Sequence, residues 1–202
     1  MCFQNICALL TATGTIAVAI AAIWGDYFRS KMFAPKLSLE SCNLHGSLTN
    51  RANGQRTIYY NLKVCNYGWA PGKNCKVMLV GLHRKGPDGN FHAVSLIVPQ
   101  QFCWSPSEFS PILNTVVHSN VVDLGFIDEA ANRFSPALYY YSNNFSGFVG
   151  PDECVRYSIQ IEAENYGISR IYVYEVSWNG RWSSNLDEMN QYLIIKSITQ
   201  VE

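Results

Sequence analysis

The stretch Cys154–Asn165 reads CVRYSIQIEAEN and alternates between apolar and polar side chains. The apolar positions are Val155, Tyr157, Ile159, Ile161 and Ala163, and the polar positions between them are Arg156, Ser158, Gln160, Glu162 and Glu164. Successive side chains of a β-strand point to opposite faces of the sheet. The stretch therefore predicts a half-buried strand, with one face in a hydrophobic core and the other in water.

The same alternation recurs along the chain after Pro35. In Thr57–Asn66, four apolar residues share one face, namely Ile58, Tyr60, Leu62 and Val64. Further strands are predicted at Lys36–Glu40, Asn74–Lys85, His92–Val98, Val121–Ile127, Ala137–Tyr141, Arg170–Trp178 and Tyr192–Thr199. One short helix is predicted over Ser183–Gln191. Short strands without crossover helices between them indicate an all-β fold, an antiparallel β-sandwich rather than a parallel sheet.

The pair Asn179-Gly180 lies between Val176–Trp178 and Arg181-Trp182. An Asn-Gly pair between two strand segments is typical of a type I′ β-hairpin, because both residues tolerate positive φ. The sequence therefore predicts a tight hairpin at this position, in which Trp178 and Trp182 pair across the two strands.

The N-terminal segment 6–24 reads ICALLTATGTIAVAIAAIW and holds no charged residue. A helix of this length is about 28 Å long, close to the roughly 30 Å of a bilayer's hydrocarbon core, so the segment predicts a transmembrane anchor. A cleaved signal peptide is one alternative, because Ala19-Ile20-Ala21 resembles a cleavage site, although residues 1–5 are not basic. A buried helix of a soluble domain is the other, with Thr11, Thr13 and Thr15 as its only polar side chains.

Aromatic and basic residues cluster at the C-terminal end of this segment. The predicted membrane-interface residues are Trp24, Tyr27, Phe28, Arg29 and Lys31. Aromatic rings prefer the headgroup layer, and Lys and Arg mark the cytoplasmic flank of a span. We therefore expect residues 1–35 to form the anchor and a linker in the inner membrane of the cell. Residues 36–202 would then form the sandwich domain on the cytoplasmic side.

The cysteines of the domain favour the same location. They are Cys42, Cys65, Cys75, Cys103 and Cys154, an odd number without a repeated spacing. A secreted domain usually pairs its cysteines, whereas free and mostly buried thiols suit a reducing compartment. The triplet Asn144-Phe145-Ser146 is a glycosylation sequon, and a periplasmic location remains the alternative.

The stretch Val64–Leu79 reads VCNYGWAPGKNCKVML. It resembles the strand–turn–strand pattern of immunoglobulin-like bacterial modules of the CARDB type, in which V-x-N-x-G is followed by a short turn and N-x-x-V. The residues that carry the resemblance are Val64, Asn66, Gly68, Ala70, Asn74 and Val77. The resemblance implies an immunoglobulin-like β-sandwich and no particular activity. With one N-terminal span, the layout is similar to small bacterial membrane-anchored proteins of unknown function.

Composition and motifs argue against several functions. The chain has 15 Lys and Arg residues against 15 Asp and Glu residues and no basic run, so we expect no nucleic-acid binding. It contains no phosphate-binding loop, dinucleotide fingerprint or nucleophile elbow. Cys42-x-x-His45 has a zinc-like spacing but lacks a second pair of ligands. We therefore expect no catalytic residue, no cofactor and no metal.

Aromatic residues make up 13% of the chain, and several fall in or beside predicted loops. The candidate partner-binding residues are Tyr140, Phe145, Phe148, Trp178 and Trp182. Exposed Tyr and Trp are common anchors of protein interfaces. The sequence thus predicts a membrane-anchored, non-enzymatic module that binds a protein partner near the bilayer. The alternatives are a membrane-tethered hydrolase or transferase with a loop-built site, because triads are recognised by geometry, and a periplasmic envelope or adhesion module.

Overall fold

The computed structural model describes residues 2–51, 54–130, 132–167 and 170–198. Helix α1 (Cys2–Met32) begins this part of the chain, and helix α2 (Leu186–Tyr192) lies before the last strand. The strands are, in chain order, β1 (Leu37–Asn50), β2 (Arg56–Asn66), β3 (Gly72–Lys85), β4 (Phe91–Val94), β5 (Gln100–Gln101), β6 (Asn114–Val116), β7 (Ser119–Asp128), β8 (Ser135–Pro136), β9 (Glu153–Glu162), β10 (Ile171–Trp178) and β11 (Leu193–Ile198).

The strands form two antiparallel sheets. The first sheet has the order β1-β2-β7-β8, and the second has the order β11-β10-β9-β3-β4, with β5 and β6 also paired to β3. Buried side chains from both sheets share one hydrophobic core, including Leu62 and Leu124 from the first and Val77 and Ile159 from the second. The predicted all-β antiparallel sandwich is therefore confirmed.

Strand β9 lies in the middle of the second sheet, between β10 and β3. Its core-facing residues Val155, Tyr157, Ile159 and Ile161 are at most 1% exposed, as the alternation predicts. Each such side chain contributes about 1.5–3 kcal/mol on burial. The Tyr157 hydroxyl donates a hydrogen bond to the Gly147 carbonyl oxygen at 2.6 Å, so its polar atom is also satisfied inside the core.

Three strand predictions differ from the structure, and one of them is His92–Val98, which ends at Val94 as β4. Strand β1 continues to Asn50, ten residues beyond the predicted end, with register shifts around Asn43. The added part pairs with β2 through backbone hydrogen bonds and lies mostly exposed, so it carries no apolar alternation for a sequence pattern to detect. The predicted strand Ala137–Tyr141 is wrong: β8 is only Ser135–Pro136, and the following residues form backbone contacts with the 101–103 segment.

The predicted hairpin at Asn179-Gly180 is also wrong. Gly180 has a positive φ of 85°, but β10 pairs with β11, with Trp178 opposite Leu193. A loop and α2 lie between these two strands, and the Asn185 side chain caps α2 by accepting a hydrogen bond from the Asp187 N–H. The predicted short helix is thus confirmed, and it takes the place of the return strand of the hairpin.

Helix α1 has 31 residues, and the side chains described between Leu10 and Ile23 are exposed. Among the described residues, none of the helices combines the length and the apolar character that a membrane crossing requires. For six residues of the predicted span and interface, the structure describes the helical backbone but not the side chain. They are Ile6, Ala8, Leu9, Phe28, Arg29 and Lys31. Of the predicted interface residues, Trp24 and Tyr27 are described, and their rings meet edge to face at 6.0 Å.

Candidate functional site

The Asn66 side chain joins three segments of the chain at the end of β2. Its Oδ1 accepts hydrogen bonds from the backbone N–H groups of Lys36, at 3.1 Å, and Gly68, at 2.9 Å. The acceptors for its Nδ2 are the carbonyl oxygens of Ala70 at 2.7 Å and of Val116 and Val117 at 3.2 Å each. Asn66 therefore ties the start of β1 to the turn 67–71 and to the turn between β6 and β7.

Gly68 lies where no side chain fits. A Cβ atom at this position would be 2.4 Å from the Ala34 carbonyl oxygen and 2.7 Å from the Pro35 Cα. The turn 67–71 thus packs with its backbone against the segment that joins α1 to β1. This end of the sandwich is called the proximal end below, and the opposite end is called the distal end.

A groove crosses the outer face of the first sheet. It consists of two adjoining cavities of about 340 and 380 Å³, and both are lined by Arg51, Tyr59 and Ser107. Tyr59 belongs to β2, whose alternate residues face the core, and Ser107 belongs to the segment that crosses over the sheet after β5. Volumes of this size are within the range of small-ligand and peptide sites. We call this feature the Asp123 groove, after the carboxyl group at its floor.

Asp123 is only 2% exposed and is surrounded by hydrogen-bond donors. Its Oδ1 accepts from the Asn61 Nδ2 at 2.6 Å, and its Oδ2 accepts from the Ser107 N–H at 3.1 Å. Burial raises the pKa of Asp123, while hydrogen bonds from Ser105, Ser107 and Asn61 act in the opposite direction. The carboxyl group therefore holds the crossing segment against the sheet and shapes the groove.

Arg51 brings a cation to the mouth of the groove. Its Nη2 donates to the Tyr59 hydroxyl at 3.2 Å and lies 3.5 Å from the Asp128 Oδ1. Its guanidinium carbon lies 4.7 Å from the centre of the Phe126 ring. Its Nε is buried and has no hydrogen-bond partner in the part of the chain that the structure describes. Arg51 thus places a partly exposed guanidinium beside the Tyr59 and Phe126 rings at the mouth of the groove.

Four of the five predicted partner-binding residues lie in or beside the distal loops, and the five differ in exposure. Gly180 packs against Pro151, which brings the loop 142–151 and the loop 179–182 together. Tyr140 is half exposed, whereas Trp178 is 3% exposed and donates through its Nε1 to the Arg181 carbonyl oxygen at 2.7 Å. Trp178 is therefore a core residue, not an exposed anchor.

Phe145 and Phe148 are half-buried members of a cluster of three rings. They meet Tyr141 at 5.3 and 5.0 Å between ring centres and each other at 5.1 Å. The Arg133 guanidinium covers Phe148 at 3.7 Å. Trp182 is also half-buried, packs against the core and lies 5.2 Å from the Arg56 guanidinium. These rings mainly stabilise the distal loops, and Tyr140 keeps the largest free surface among the five predicted residues.

The thiols of the domain are all free, and three of the five are buried. Burial raises the pKa of the Cys103 thiol to about 11, with a further contribution from the neighbouring Asp123 carboxylate. Burial likewise raises the pKa of the Cys65, Cys75 and Cys154 thiols. These thiols stay protonated near neutral pH and are poor nucleophiles.

The zinc-like spacing at Cys42 and His45 gains no further ligand from the part of the chain that the structure describes. His45 Nδ1 instead lies 2.8 Å from the Asn190 Nδ2 and links β1 to α2. Across the described ranges, His, Cys, Asp and Glu side chains do not gather in a group able to hold a metal ion.

Sequence reasoning did not predict the Asp123 groove. Its residues come from separate segments, with Arg51 after β1, Asp123 in β7 and Ser107 in a predicted loop. A signal was nevertheless present, because Asp123 is a lone carboxylate inside the apolar stretch Val121–Phe126. A charged residue at the centre of such a strand requires a set of polar partners.

Comparison with known proteins gives no match: no family model fits the chain, and no curated protein is similar to it. The function is therefore inferred from the geometry of the Asp123 groove and of the two ends of the sandwich.

Replacing Asp123 with Asn is expected to remove a pH-dependent part of the stability. Because burial raises the pKa of Asp123 in the folded protein, its contribution is fully present below the unfolded pKa of about 3.9 and is lost as the pH rises through the folded pKa. Asn does not titrate, so D123N should lack this loss. Urea unfolding of the purified wild type and D123N between pH 3 and pH 7 measures the free energy of unfolding at each pH. Asp152→Asn, at an exposed loop position, controls for removal of one charge. If the free energy of unfolding of D123N depends on pH as steeply as that of the wild type, the prediction is wrong.

Proposed function

We propose that this protein is a membrane-anchored binding module, in which one N-terminal helix holds an immunoglobulin-like sandwich close to the bilayer. The sandwich binds a protein partner through the Asp123 groove and performs no chemistry of its own. The observation that carries the proposal is the groove, because it combines a buried carboxyl floor, aromatic walls and a partly exposed guanidinium.

The strand order supports an immunoglobulin-like topology. Strands β1, β2 and β7 are neighbours in the first sheet, and strands β10, β9 and β3 are neighbours in the second. These sets correspond in chain order to the A-B-E and G-F-C strands of immunoglobulin-type sandwiches. The Asn66 network lies at the position of the V-x-N-x-G pattern, so it gives the resemblance to CARDB-type modules a physical basis.

The anchor is supported by the sequence and the exposed surface of α1. The segment 6–24 is uncharged, and the large aliphatic side chains that the structure describes in it are between 54% and 74% exposed, namely Leu10, Ile16, Val18, Ile20 and Ile23. A helix with apolar side chains on all faces needs an apolar environment around it. Thr11 and Thr15 donate to carbonyl oxygens one turn earlier, so their hydroxyl groups are satisfied within the helix.

The proposed cytoplasmic location of the domain predicts how Cys42 reacts. Cys42 is the exposed thiol of the domain, so a membrane-impermeant maleimide should label it only after the cells are lysed. The experiment uses the full chain with Cys2→Ser and Cys7→Ser, and adding Cys42→Ser identifies the signal because it should remove the labelling of the lysate. Labelling of Cys42 in intact cells contradicts this orientation and favours a periplasmic module.

Binding through the groove is tested by photo-crosslinking from Thr49, which lies on β1 and lines the groove. A photoreactive residue at this position of the full chain should give a discrete adduct with a protein of the same membrane. Arg51→Ala should weaken binding by about 2 kcal/mol or more, which corresponds to roughly thirtyfold in affinity, and so remove the adduct.

Two further probe positions show whether the groove is the binding surface. Ile194 is exposed on the second sheet, and a probe there should give no adduct. Tyr140 is the most exposed of the partner-binding residues that the sequence predicts. Adducts from Tyr140 or Ile194 in the absence of any from Thr49 would place the partner elsewhere and refute the groove as its site.

A further inference from the structure

The proximal end of the sandwich carries large apolar side chains that the core does not use. Trp69 is 85% exposed and Tyr67 is 67% exposed, both in the turn 67–71. Val117, in the turn before β7, is 54% exposed, and Phe33, directly after α1, is 47% exposed. We call these four residues the proximal patch. Contiguous exposed apolar groups of this kind mark interaction surfaces rather than packing.

The Asn66 network ties together the chain segments that carry the four residues of the patch. Asn66 precedes Tyr67, and its Nδ2 donates to the Val117 carbonyl oxygen. Gly68, between Tyr67 and Trp69, packs against the backbone of Ala34 and Pro35, next to Phe33. The residues of the patch therefore lie at the same end of the sandwich, on three chain segments whose backbones are fixed to one another.

The rings of the patch have the amphipathic character of interfacial residues. The Tyr67 hydroxyl donates to the Glu40 Oε1 at 2.6 Å, so its polar group is occupied on the protein while its ring stays exposed. Trp and Tyr rings are enriched where hydrocarbon meets headgroups. The positive charges of Lys36 and of the segment 29–31 lie in the same part of the chain and suit anionic headgroups.

The distance to α1 limits what can cover the patch. Helix α1 ends at Met32, and the N–H of Lys36 is already bonded to Asn66. The three residues between them span at most about 11 Å. The patch therefore stays close to the end of the helix, on the side from which the proposed anchor leaves the bilayer.

We propose that the proximal patch rests on the lipid surface, with the Trp69 ring in the headgroup layer. This inference rests on the proposed anchor and adds a second membrane contact made by the sandwich itself. The contact orients the domain, because the strands then run away from the bilayer and the distal end points into the aqueous phase.

The test uses tryptophan fluorescence of the full chain in phosphatidylcholine vesicles with and without lipids brominated near the headgroup. Subtracting the emission of Trp69→Phe from that of the wild type gives the emission of Trp69. Trp24→Phe gives the emission of Trp24 in the helix in the same way, and Trp182→Phe gives that of Trp182, the distal control. We expect brominated lipid to reduce the Trp69 signal about as strongly as the Trp24 signal and to leave the Trp182 signal unchanged. Because Trp69 is exposed, its replacement by Phe should not alter the fold, which circular dichroism verifies.

The outcomes separate this inference from the anchor on which it rests. Quenching of Trp24 without quenching of Trp69 overturns the lipid contact and leaves the anchor in place. A Trp69 signal that is shifted to the blue but not quenched means that a second protein surface covers the patch, and it also overturns the lipid contact. If neither residue is quenched and alkaline washing releases the chain, the anchor and the lipid contact both fail.

Discussion

Replacing Asn66 with Ala is expected to lower the free energy of unfolding by about 3 kcal/mol. The Asn66 side chain makes five hydrogen-bond contacts to backbone groups, but its Nδ2 has two hydrogens for three of them. The contacts therefore amount to about four hydrogen bonds, each of which contributes roughly 0.5–1 kcal/mol net. Ala replaces none of them and leaves the N–H groups of Lys36 and Gly68 without this acceptor. For a chain of this size the melting temperature should fall by about 6–12 °C, which calorimetry or urea unfolding measures.

Two variants separate the Asn66 network from a general effect of losing an amide. Asn43→Ala removes a partly exposed Asn whose Nδ2 donates to the Ser47 hydroxyl, and the change should stay within about 0.5 kcal/mol. Asn66→Asp keeps the acceptor oxygen but sets a carboxylate against the three carbonyl oxygens, so it should destabilise as much as Ala does. Wild-type stability in Asn66→Asp would show that the Nδ2 bonds contribute nothing.

Replacing Arg84 with Ala is expected to lower the free energy of unfolding by about 2–3 kcal/mol and to release the distal loop. Arg84 Nη2 donates to the carbonyl oxygens of Ser146, at 2.5 Å, and Phe148, at 2.9 Å. Its Nη1 lies 2.6 Å from the Glu153 Oε2. Hydrogen bonds from a charged donor contribute more than neutral ones, and these bonds join β3 to the loop before β9. Faster hydrogen exchange over residues 142–152 should accompany the loss in stability.

Arg156→Ala is the matched control for Arg84→Ala. Arg156 also lies on the second sheet, where its Nε pairs with the Glu175 Oε2 at 2.9 Å. A partly exposed ion pair of this kind contributes at most about 1 kcal/mol. The free energy of unfolding of Arg84→Lys should lie between those of the wild type and Arg84→Ala, because one ammonium group cannot make the paired hydrogen bonds of the guanidinium. Equal losses for Arg84→Ala and Arg156→Ala would mean that the carbonyl contacts of Arg84 do not hold the loop.

The β-strands could be predicted from the sequence wherever a buried face imposed alternation. In β2 and β9 the apolar set identified by spacing is the buried set in the structure. The second half of β1 escaped prediction because an edge strand is held by backbone bonds, which place no demand on the side chains. The prediction of a hairpin at Asn179-Gly180 was wrong for a related reason. Its local chemistry permits a hairpin, but the apolar strand Leu193–Ile198 offers β10 a longer partner than Arg181-Trp182 does.

The candidate site was less predictable than the strands. The aromatic residues of the distal end are distinctive in the sequence, yet Trp178 is needed by the core and Phe145 and Phe148 by the loop. Composition cannot separate these roles, because a ring that fills a core and a ring that binds a partner look the same in a sequence. The Asp123 groove depends on Arg51, Asp123 and Ser107 meeting in space, and that meeting follows from the strand order rather than from local spacing.

The buried thiols determine whether the protein can refold once it has unfolded. While folded, Cys65, Cys75 and Cys103 are shielded from oxidants and kept protonated by the core. On unfolding, their pKa values return to about 8.5 and the thiols become accessible to one another and to other chains. In air, disulfides should then capture the unfolded chain and make denaturation irreversible. Outside a reducing environment, the lifetime of the protein is therefore set by its rate of unfolding rather than by its equilibrium stability.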